Sequence, residues 1–152
     1  MSRLLTVLAT LLIASPTLAD NHGGAEAAVR DAVRAFNAAY AENRVDDYFG
    51  YYADGADVYF YGARQDLSAY YDAWKAGIEA GGGVEKNDLS DVRIRVLPGG
   101  EAVVASYFVD FRSRTPDGEI EEARAFESEV WQRIDDRWQI VSLHFSEIPP
   151  EE

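Results

Sequence analysis

The sequence predicts an α+β domain, in which helices pack against one face of a curved antiparallel sheet. Apolar residues in the first half of the chain recur with the helical period of about 3.6, and from residue 91 onward the period falls to two. Short segments at 98–100, 116–118 and 135–137 supply proline, glycine or aspartate where the alternation stops. Such residues are typical of tight hairpin turns, so the second half should form consecutive hairpins.

Three helices are predicted in the first half. Residues 25–43 place apolar side chains at i, i+3, i+4 and i+7 with charged residues opposite, which is typical of an amphipathic helix. A short helix is expected over 46–52. A third helix is expected to begin at a cap, Asp66 or Ser68, whose side-chain oxygen can accept from free backbone N–H groups, and to continue to Gly77.

The other regular segments are predicted strands. One brief strand follows the second helix, and four long strands with alternating apolar and polar residues follow the third. Hairpins between consecutive long strands give an antiparallel meander. The predicted bounds are 58–61, 91–97, 101–115, 119–134 and 138–147.

The first 19 residues are predicted to be a secretory signal peptide. Arg3 precedes an apolar run, 4–13, and Thr17 and Ala19 place small residues at the −3 and −1 positions of a cleavage site. The run is shorter than the roughly 20 apolar residues that span a bilayer. We therefore expect a single mature domain, residues 20–152, in the periplasm or outside the cell.

The composition argues against several classes of function. The 27 acidic and 14 basic side chains give a net charge of −13, which repels nucleic acid and anionic lipid. With no cysteine and only two histidines, neither a metal site nor a cofactor is expected. Nine tyrosines suit a largely apolar cavity that holds a small apolar or aromatic ligand carrying some polar groups.

The order of elements and two C-terminal stretches resemble a known superfamily. Helix, short helix, strand, helix and four-stranded meander resemble the nuclear transport factor 2-like superfamily, which includes SnoaL-like proteins. The stretches SYFVDFRSRTPDGEI (106–120) and VWQRIDDRWQIVSLHFSEIPP (130–150) resemble more specifically the association domain of calcium/calmodulin-dependent protein kinase II. This resemblance implies a cone in which a bent sheet wraps around a long helix and one sheet face lines a cavity.

The functional residues of two members of that superfamily are mostly replaced here. Where the kinase association domain carries pocket arginines, this chain has Val109, Glu129 and Phe145, so the resemblance argues against binding a small carboxylate in that manner. Ketosteroid isomerase has its base at the position of Phe60 and its tyrosine at the position of Phe36. Only the protonated acid of that enzyme has a counterpart, Glu129, so isomerase chemistry of that type is not expected.

Alternation places Glu127, Glu129 and Trp131 on one strand face, and the resemblance implies that this face lines the cavity. A carboxyl buried there would have a raised pKa and could donate or accept a proton. The alternative is that both carboxylates pair with arginines of neighbouring strands, for which Arg112, Arg124 and Arg133 are available. The predicted ligand-binding residues are Glu129, Glu127, Trp131, Tyr40, Tyr107, Trp74 and His144.

Two features bear on the choice between functions. His144 is interpreted either as a general base or ligand donor, or as a core or interface histidine. Phe126, Val130 and Ile140 are expected on the outer sheet face, which predicts a homo-oligomer, a dimer or larger. A non-catalytic ligand-binding module is the preferred prediction, because no complete catalytic set is seen. The alternatives are an assembly domain and a SnoaL-like cyclase, isomerase or dehydratase, so the sequence does not decide whether the protein is an enzyme.

Overall fold

Helices and one sheet form two layers in residues 18–149, the part of the chain that this computed structural model describes. Most of the predicted signal peptide, residues 1–17, lies outside this range. No helix within the described range is long and apolar enough to span a membrane. The elements are α1 (Leu18–Ala41), α2 (Val45–Phe49), β1 (Tyr52–Phe60), β2 (Ala63–Arg64), α3 (Leu67–Glu79), β3 (Gly83–Val96), β4 (Ala102–Arg114), β5 (Ile120–Ile134) and β6 (Arg137–Glu147).

The helices begin where capping and hydrophobic periodicity favour them. Asp66, one of the two predicted caps, accepts the backbone N–H of Ala69 at 3.0 Å and begins α3. In α1 the apolar stripe buries Val29, Val33 and Phe36, each no more than 1% exposed, against the sheet. Removing such side chains from water contributes about 1.5–3 kcal/mol each, which is the main force that holds the two layers together.

The sheet contains the predicted meander and one pairing that was not predicted. Its strand order is β2-β1-β6-β5-β4-β3, and β3 to β6 pair antiparallel with their neighbours. The sheet is nevertheless mixed, because β1 lies parallel to β6 and pairs antiparallel with β2 on its other side. The fold class is confirmed, since the helices cover one face of a curved and unclosed sheet.

Irregularities in β3 and β6 explain two errors of the sequence prediction, one in the bounds of a strand and one in the face of a residue. β3 begins at Gly83 rather than at 91, because register shifts next to Val84 and before Arg93 interrupt its alternation. In β6 the pairing steps from Val130–Ser142 to Trp131–Ile140, which leaves a bulge at Val141. The bulge moves Ile140 to the inner face, where it is fully buried, so the expectation that it lies on the outer face was wrong.

Alternation in β4 and β5 determines which residues face α1. The odd-numbered residues of the central parts, 103–109 in β4 and 125–131 in β5, are buried on this inner face, while the even-numbered residues between them are half-buried or exposed on the outer face. Because β4 and β5 pair without a register shift in their central part, Tyr107 lies directly opposite Glu127. This register brings the polar groups of the candidate site onto neighbouring strands.

Candidate functional site

A cavity of about 200 Å³ lies between the helices and the inner face of the sheet. Ligand sites commonly have volumes of about 300–1,000 Å³, so this cavity suits a small molecule. Four phenylalanines, Phe36, Phe60, Phe111 and Phe145, and four tyrosines, Tyr40, Tyr48, Tyr61 and Tyr70, supply most of the wall. The cavity is therefore an aromatic enclosure whose rings also carry hydroxyl groups.

The aromatic wall is held in place by ring contacts. Phe36 of α1 stacks on Tyr48 of α2, with ring centroids 4.4 Å apart and planes at 20°. Trp74 of α3 lies 5.1 Å from Tyr40 and 5.1 Å from Tyr48, measured between ring centroids. Pairs of this kind contribute about 0.5–1.5 kcal/mol beyond the area they bury. Contacts among the three helices thus fix the position of the wall.

Behind the wall, the hydroxyl of Tyr107 contacts three polar side chains. The side-chain nitrogen of Asn37 donates to Tyr107 Oη at 2.9 Å. Oε1 of Glu127 lies 2.5 Å and Oε1 of Glu129 lies 2.6 Å from the same oxygen. Trp131 Nε1 donates to the other oxygen of Glu129 at 2.6 Å. Glu129 is fully buried, and Glu127 is only 9% exposed.

These contacts require a proton on one of the two carboxyls. A phenol has one proton and can donate to only one carboxylate oxygen. The second close oxygen must therefore bring its own proton. We assign that proton to Glu129 Oε1, because Glu129 is the more deeply buried and its other oxygen already accepts from Trp131. Glu129 then donates to Tyr107, and Tyr107 donates to Glu127.

Burial raises the pKa of both carboxyls. The pKa of Glu127 rises from the ordinary 4.5 to about 7, chiefly because burial disfavours the charged form, while the hydrogen bond from Tyr107 opposes the rise. The pKa of Glu129 lies well above its ordinary value, first through burial and then through the charge of Glu127. Near neutral pH the site therefore holds a neutral Glu129 and a Glu127 that exchanges its proton.

Two asparagines complete this network, and the sequence analysis did not single them out. Asn87 of β3 donates to Asn37 Oδ1 at 2.9 Å, and Asn37 also donates to the backbone oxygen of Val33 at 3.0 Å. Asn37 is 7% exposed. The sequence signal that could have identified Asn37 is its position four residues after Val33, where an amide side chain interrupts the apolar stripe of α1. Both asparagines line the cavity and offer it amide groups.

Five of the seven predicted site residues lie at or directly behind the cavity. Tyr40 and Glu127 are part of its wall. Tyr107, Glu129 and Trp131 lie behind the wall, linked to Glu127 by the hydrogen bonds described above. The carboxyls that alternation placed on one face of β5 are therefore brought together around a single tyrosine hydroxyl.

The other two predicted residues, Trp74 and His144, lie elsewhere. Trp74 supports the wall through its ring contact with Tyr40 and borders a neighbouring depression. His144 is exposed and lies on the outer face, opposite Ser128 of β5 and Tyr59 of β1. It does not reach the cavity, because the inner positions of this part of β6 belong to Leu143 and Phe145.

The arginines considered as partners of the two carboxylates pair with other acids. Arg112 and Arg124 occupy even-numbered positions on the outer face, and Arg133 lies beside the last hairpin. Their partners, at 2.9–3.0 Å, are Glu85 and Glu122 for Arg112, Asp110 for Arg124, and Asp136 for Arg133. The cross-strand ion-pair alternative for Glu127 and Glu129 is therefore contradicted.

Glu129→Gln tests the assignment of the proton. The glutamine amide can donate to Tyr107 while its oxygen accepts from Trp131, so the variant should match wild type in stability at pH 4, where Glu129 is mostly protonated in the folded and the unfolded chain. A carboxyl whose pKa is higher in the folded state than in the unfolded chain keeps its proton in the folded state at pH values at which the unfolded chain has lost it. Wild type should then lose up to about 1.4 kcal/mol per pH unit above about 4.5, until the folded pKa is reached. The variant lacks this loss, so urea unfolding should show a stability advantage that grows towards pH 8.

Glu122→Gln is the matched control, because it removes an exposed carboxylate from the same strand. The stability of Glu122→Gln relative to that of wild type should not increase between pH 5 and pH 8. Parallel pH profiles for Glu129→Gln and wild type would contradict the neutral Glu129.

The comparisons with known proteins agree with this architecture. A family model described as a SnoaL-like domain matches residues 29–151. No curated protein sequence matches the chain significantly. Among solved structures, an NTF2-like protein of unknown function in nutrient uptake from Rhodospirillum rubrum is 20% identical, with a TM-score of 0.64. The similarity covers 84% of this chain and 98% of that chain.

Two further neighbours have different descriptions. The association domain of C. elegans CaMKII is 15% identical, with a TM-score of 0.65, over 84% of this chain and 98% of that chain. A candidate dehydratase of the NTF2-like family from Streptomyces avermitilis is 16% identical, with a TM-score of 0.69, over 85% of this chain and 99% of that chain. At these identities the likeness shows the fold, and the family match covers most of the sequence. The chain therefore belongs to the SnoaL-like domain family and has the NTF2-like fold, as its element order predicted.

Proposed function

We propose that this protein binds a small organic molecule in the aromatic cavity, with Glu127 as the main polar contact. The observation that carries the proposal is a cavity with a ring-packed wall in which one carboxyl is almost completely buried. Binding sites for small molecules typically combine an apolar concave wall with a few fixed polar groups. The Tyr107 network holds Glu127 in one position and so supplies such a group.

The composition of the wall favours binding over catalysis. Acid–base catalysis usually needs groups that act at different points of the substrate, and among the described residues of the cavity Glu127 is the group whose pKa is shifted to near neutrality. Burial raises the pKa of Tyr40 and Tyr70 far above neutrality, so their hydroxyls stay protonated. Phe36 and Phe60 add only apolar surface. The enzyme alternative has support from the dehydratase-like neighbour but no matching set of groups among the residues described here.

Ser113→Trp tests the proposed pocket. Ser113 lies on the inner face of β4 and lines the cavity, so an indole there should occupy ligand space. Benzyl alcohol serves as a neutral aromatic probe, followed through amide shifts in NMR spectra. Wild type should show saturable shifts in α1 and in the inner-face residues of β4 and β5, and Ser113→Trp should lose them.

Ser106→Trp is the control, because Ser106 lies on the same strand but on the outer face. It should bind benzyl alcohol as wild type does. The absence of saturable shifts in wild type, or equal binding in both variants, would contradict the pocket.

Self-association is a second proposed function, favoured by the outer sheet face. Phe108 and Phe126 lie opposite each other on β4 and β5, with ring centroids 5.7 Å apart, and Phe126 is 40% exposed. Val104 and Val130 form a second apolar pair on the same face. Burying such surface against a second copy of the chain is favourable. Three of the structural neighbours are described as association domains, two of them as candidates, which supports this choice of partner.

Phe126→Glu should weaken self-association, because it places a charge in the middle of the apolar pairs. Sedimentation velocity at micromolar concentrations should show a dimer or larger species for wild type and a shift towards monomer for the variant. Ile120→Glu is the control, because Ile120 is equally exposed at 39% but lies at the far end of β5. A monomeric wild type would overturn this second function.

We also propose that the mature protein is exported. The pattern of Arg3, the apolar run 4–13 and the small residues Thr17 and Ala19 supports this localisation. A C-terminally tagged protein expressed in a Gram-negative host should appear in the periplasm. Its mass, measured by mass spectrometry, should be that of a chain whose first residue is Asp20. Recovery of the intact chain from a membrane fraction would refute export.

A further inference from the structure

We propose that the cavity selects small organic cations, such as protonated aromatic amines, over neutral and anionic molecules of the same shape. This inference rests on the proposed ligand-binding function and specifies its ligand class. It comes from the charges and rings that the cavity presents at its base, along its wall and at its mouth.

The charged groups of the wall all have one sign. Glu127 and Glu121 line the cavity, and no lysine, arginine or histidine is found among its lining residues in the described chain. Arg112 and Arg114, which flank the cavity-lining Ser113 on β4, both form ion pairs with Glu85. A carboxylate ligand would therefore meet a buried acid without a compensating cation, whereas an ammonium group would meet a partner.

The rings of the wall add a second attraction for a cation. Eight phenylalanine and tyrosine rings surround a volume of about 200 Å³, so a ligand cation inside lies close to several ring faces. Each ring face carries partial negative charge, and a desolvated cation within about 6 Å is attracted to it more strongly than an uncharged group is. An uncharged alcohol of the same shape has only dispersion and hydrogen bonds.

The mouth of the cavity is also negative. Tyr61 stands there with 69% of its surface exposed. The pKa of its hydroxyl is raised to about 12 by partial burial first, then by the charge and hydrogen bond of Glu147 and by the charge of Glu121. Glu121, which lines the cavity, and Glu147, whose charge acts on Tyr61, belong to a chain whose net charge is −13. Such a field concentrates cations at the opening.

The titratable groups around Glu127 make the preference depend on pH. Those that face it are Tyr40 of α1, Tyr48 of α2, Tyr52 of β1, Tyr70 of α3, Tyr107 of β4 and Glu129 of β5. Burial raises the pKa of each of them, so the phenols and Glu129 remain neutral near pH 7. Glu127 is then the group that ionises in this range, and a bound cation favours its charged form.

Three probes with one skeleton test the charge preference at pH 8: benzylamine as the cation, benzyl alcohol as the neutral molecule and benzoate as the anion. NMR titration should give benzylamine an affinity at least about tenfold above that of benzyl alcohol, with benzoate weakest. Between pH 8 and pH 6 the affinity for benzylamine should fall about tenfold, because binding must then displace a proton from Glu127. The affinity for benzyl alcohol should change little.

Glu127→Gln should abolish both effects, giving benzylamine and benzyl alcohol similar affinities and flat pH profiles. Glu122→Gln, which removes an outer-face carboxylate, should behave as wild type. An amide spectrum as well dispersed as that of wild type shows that Glu127→Gln is folded.

The two proposals fail in different ways. If benzyl alcohol binds in the cavity as tightly as benzylamine, or benzoate binds more tightly than either, the cation preference is overturned while the pocket stands. If none of the three probes gives shifts that Ser113→Trp removes, the ligand-binding function itself is overturned.

Discussion

The desolvation of two glutamates on one strand is the constraint on which the rest of this structure depends. Glu127 and Glu129 lie two residues apart on the inner face of β5, where water is largely excluded. A lone ionised carboxylate in such a place is costly, and two adjacent ones are costlier still. The protein meets this cost with one retained proton and with donors from Tyr107 and Trp131. Among the described residues, no counter-cation contacts either carboxyl.

That solution fixes the packing of helix and sheet. Tyr107 can reach both carboxyls because β4 and β5 pair in a register that places it opposite Glu127. Asn37 reaches the same hydroxyl only if α1 lies at one rotation and one height above the sheet. Asn87 adds the same requirement from β3. Apolar burial alone tolerates small slides of a helix, whereas a satisfied buried network specifies one arrangement. The aromatic wall on the adjacent turns of α1 takes its position from this polar anchor.

The sequence allowed prediction of features that depend on uninterrupted periodicity. β5 alternates regularly, so the alternation alone was enough to assign Glu127, Glu129 and Trp131 to one face. The order of helices and long strands could also be predicted, because the turns between the long strands contain the proline, glycine and aspartate residues that are typical of hairpins. Ile140 was misplaced because a single bulged residue reverses the phase of a strand, and nothing in its composition marks the position.

Contacts between distant segments were harder to predict. The parallel pairing of β1 with β6 joins residues far apart in the chain, and neither strand carries a local signal for the other. Asn37 and Asn87 acquire their role only when α1 and β3 meet above Tyr107. Their amides look like ordinary polar residues when each segment is considered alone.

The same contrast explains why the acidic character of the chain has different consequences outside and inside the fold. Outer-face carboxylates pair with arginines at exposed sites, where solvent screening leaves each pair worth at most about 1 kcal/mol. The inner carboxyls are held by neutral donors and lie where interactions with charge are much stronger. A buried carboxylate whose lost hydration is not fully replaced by protein donors interacts favourably with a ligand group that replaces it. The desolvation that the core tolerates next to Glu127 is therefore the physical basis of the proposed binding site, where a small molecule with a positive or hydrogen-bond-donating end would restore that hydration.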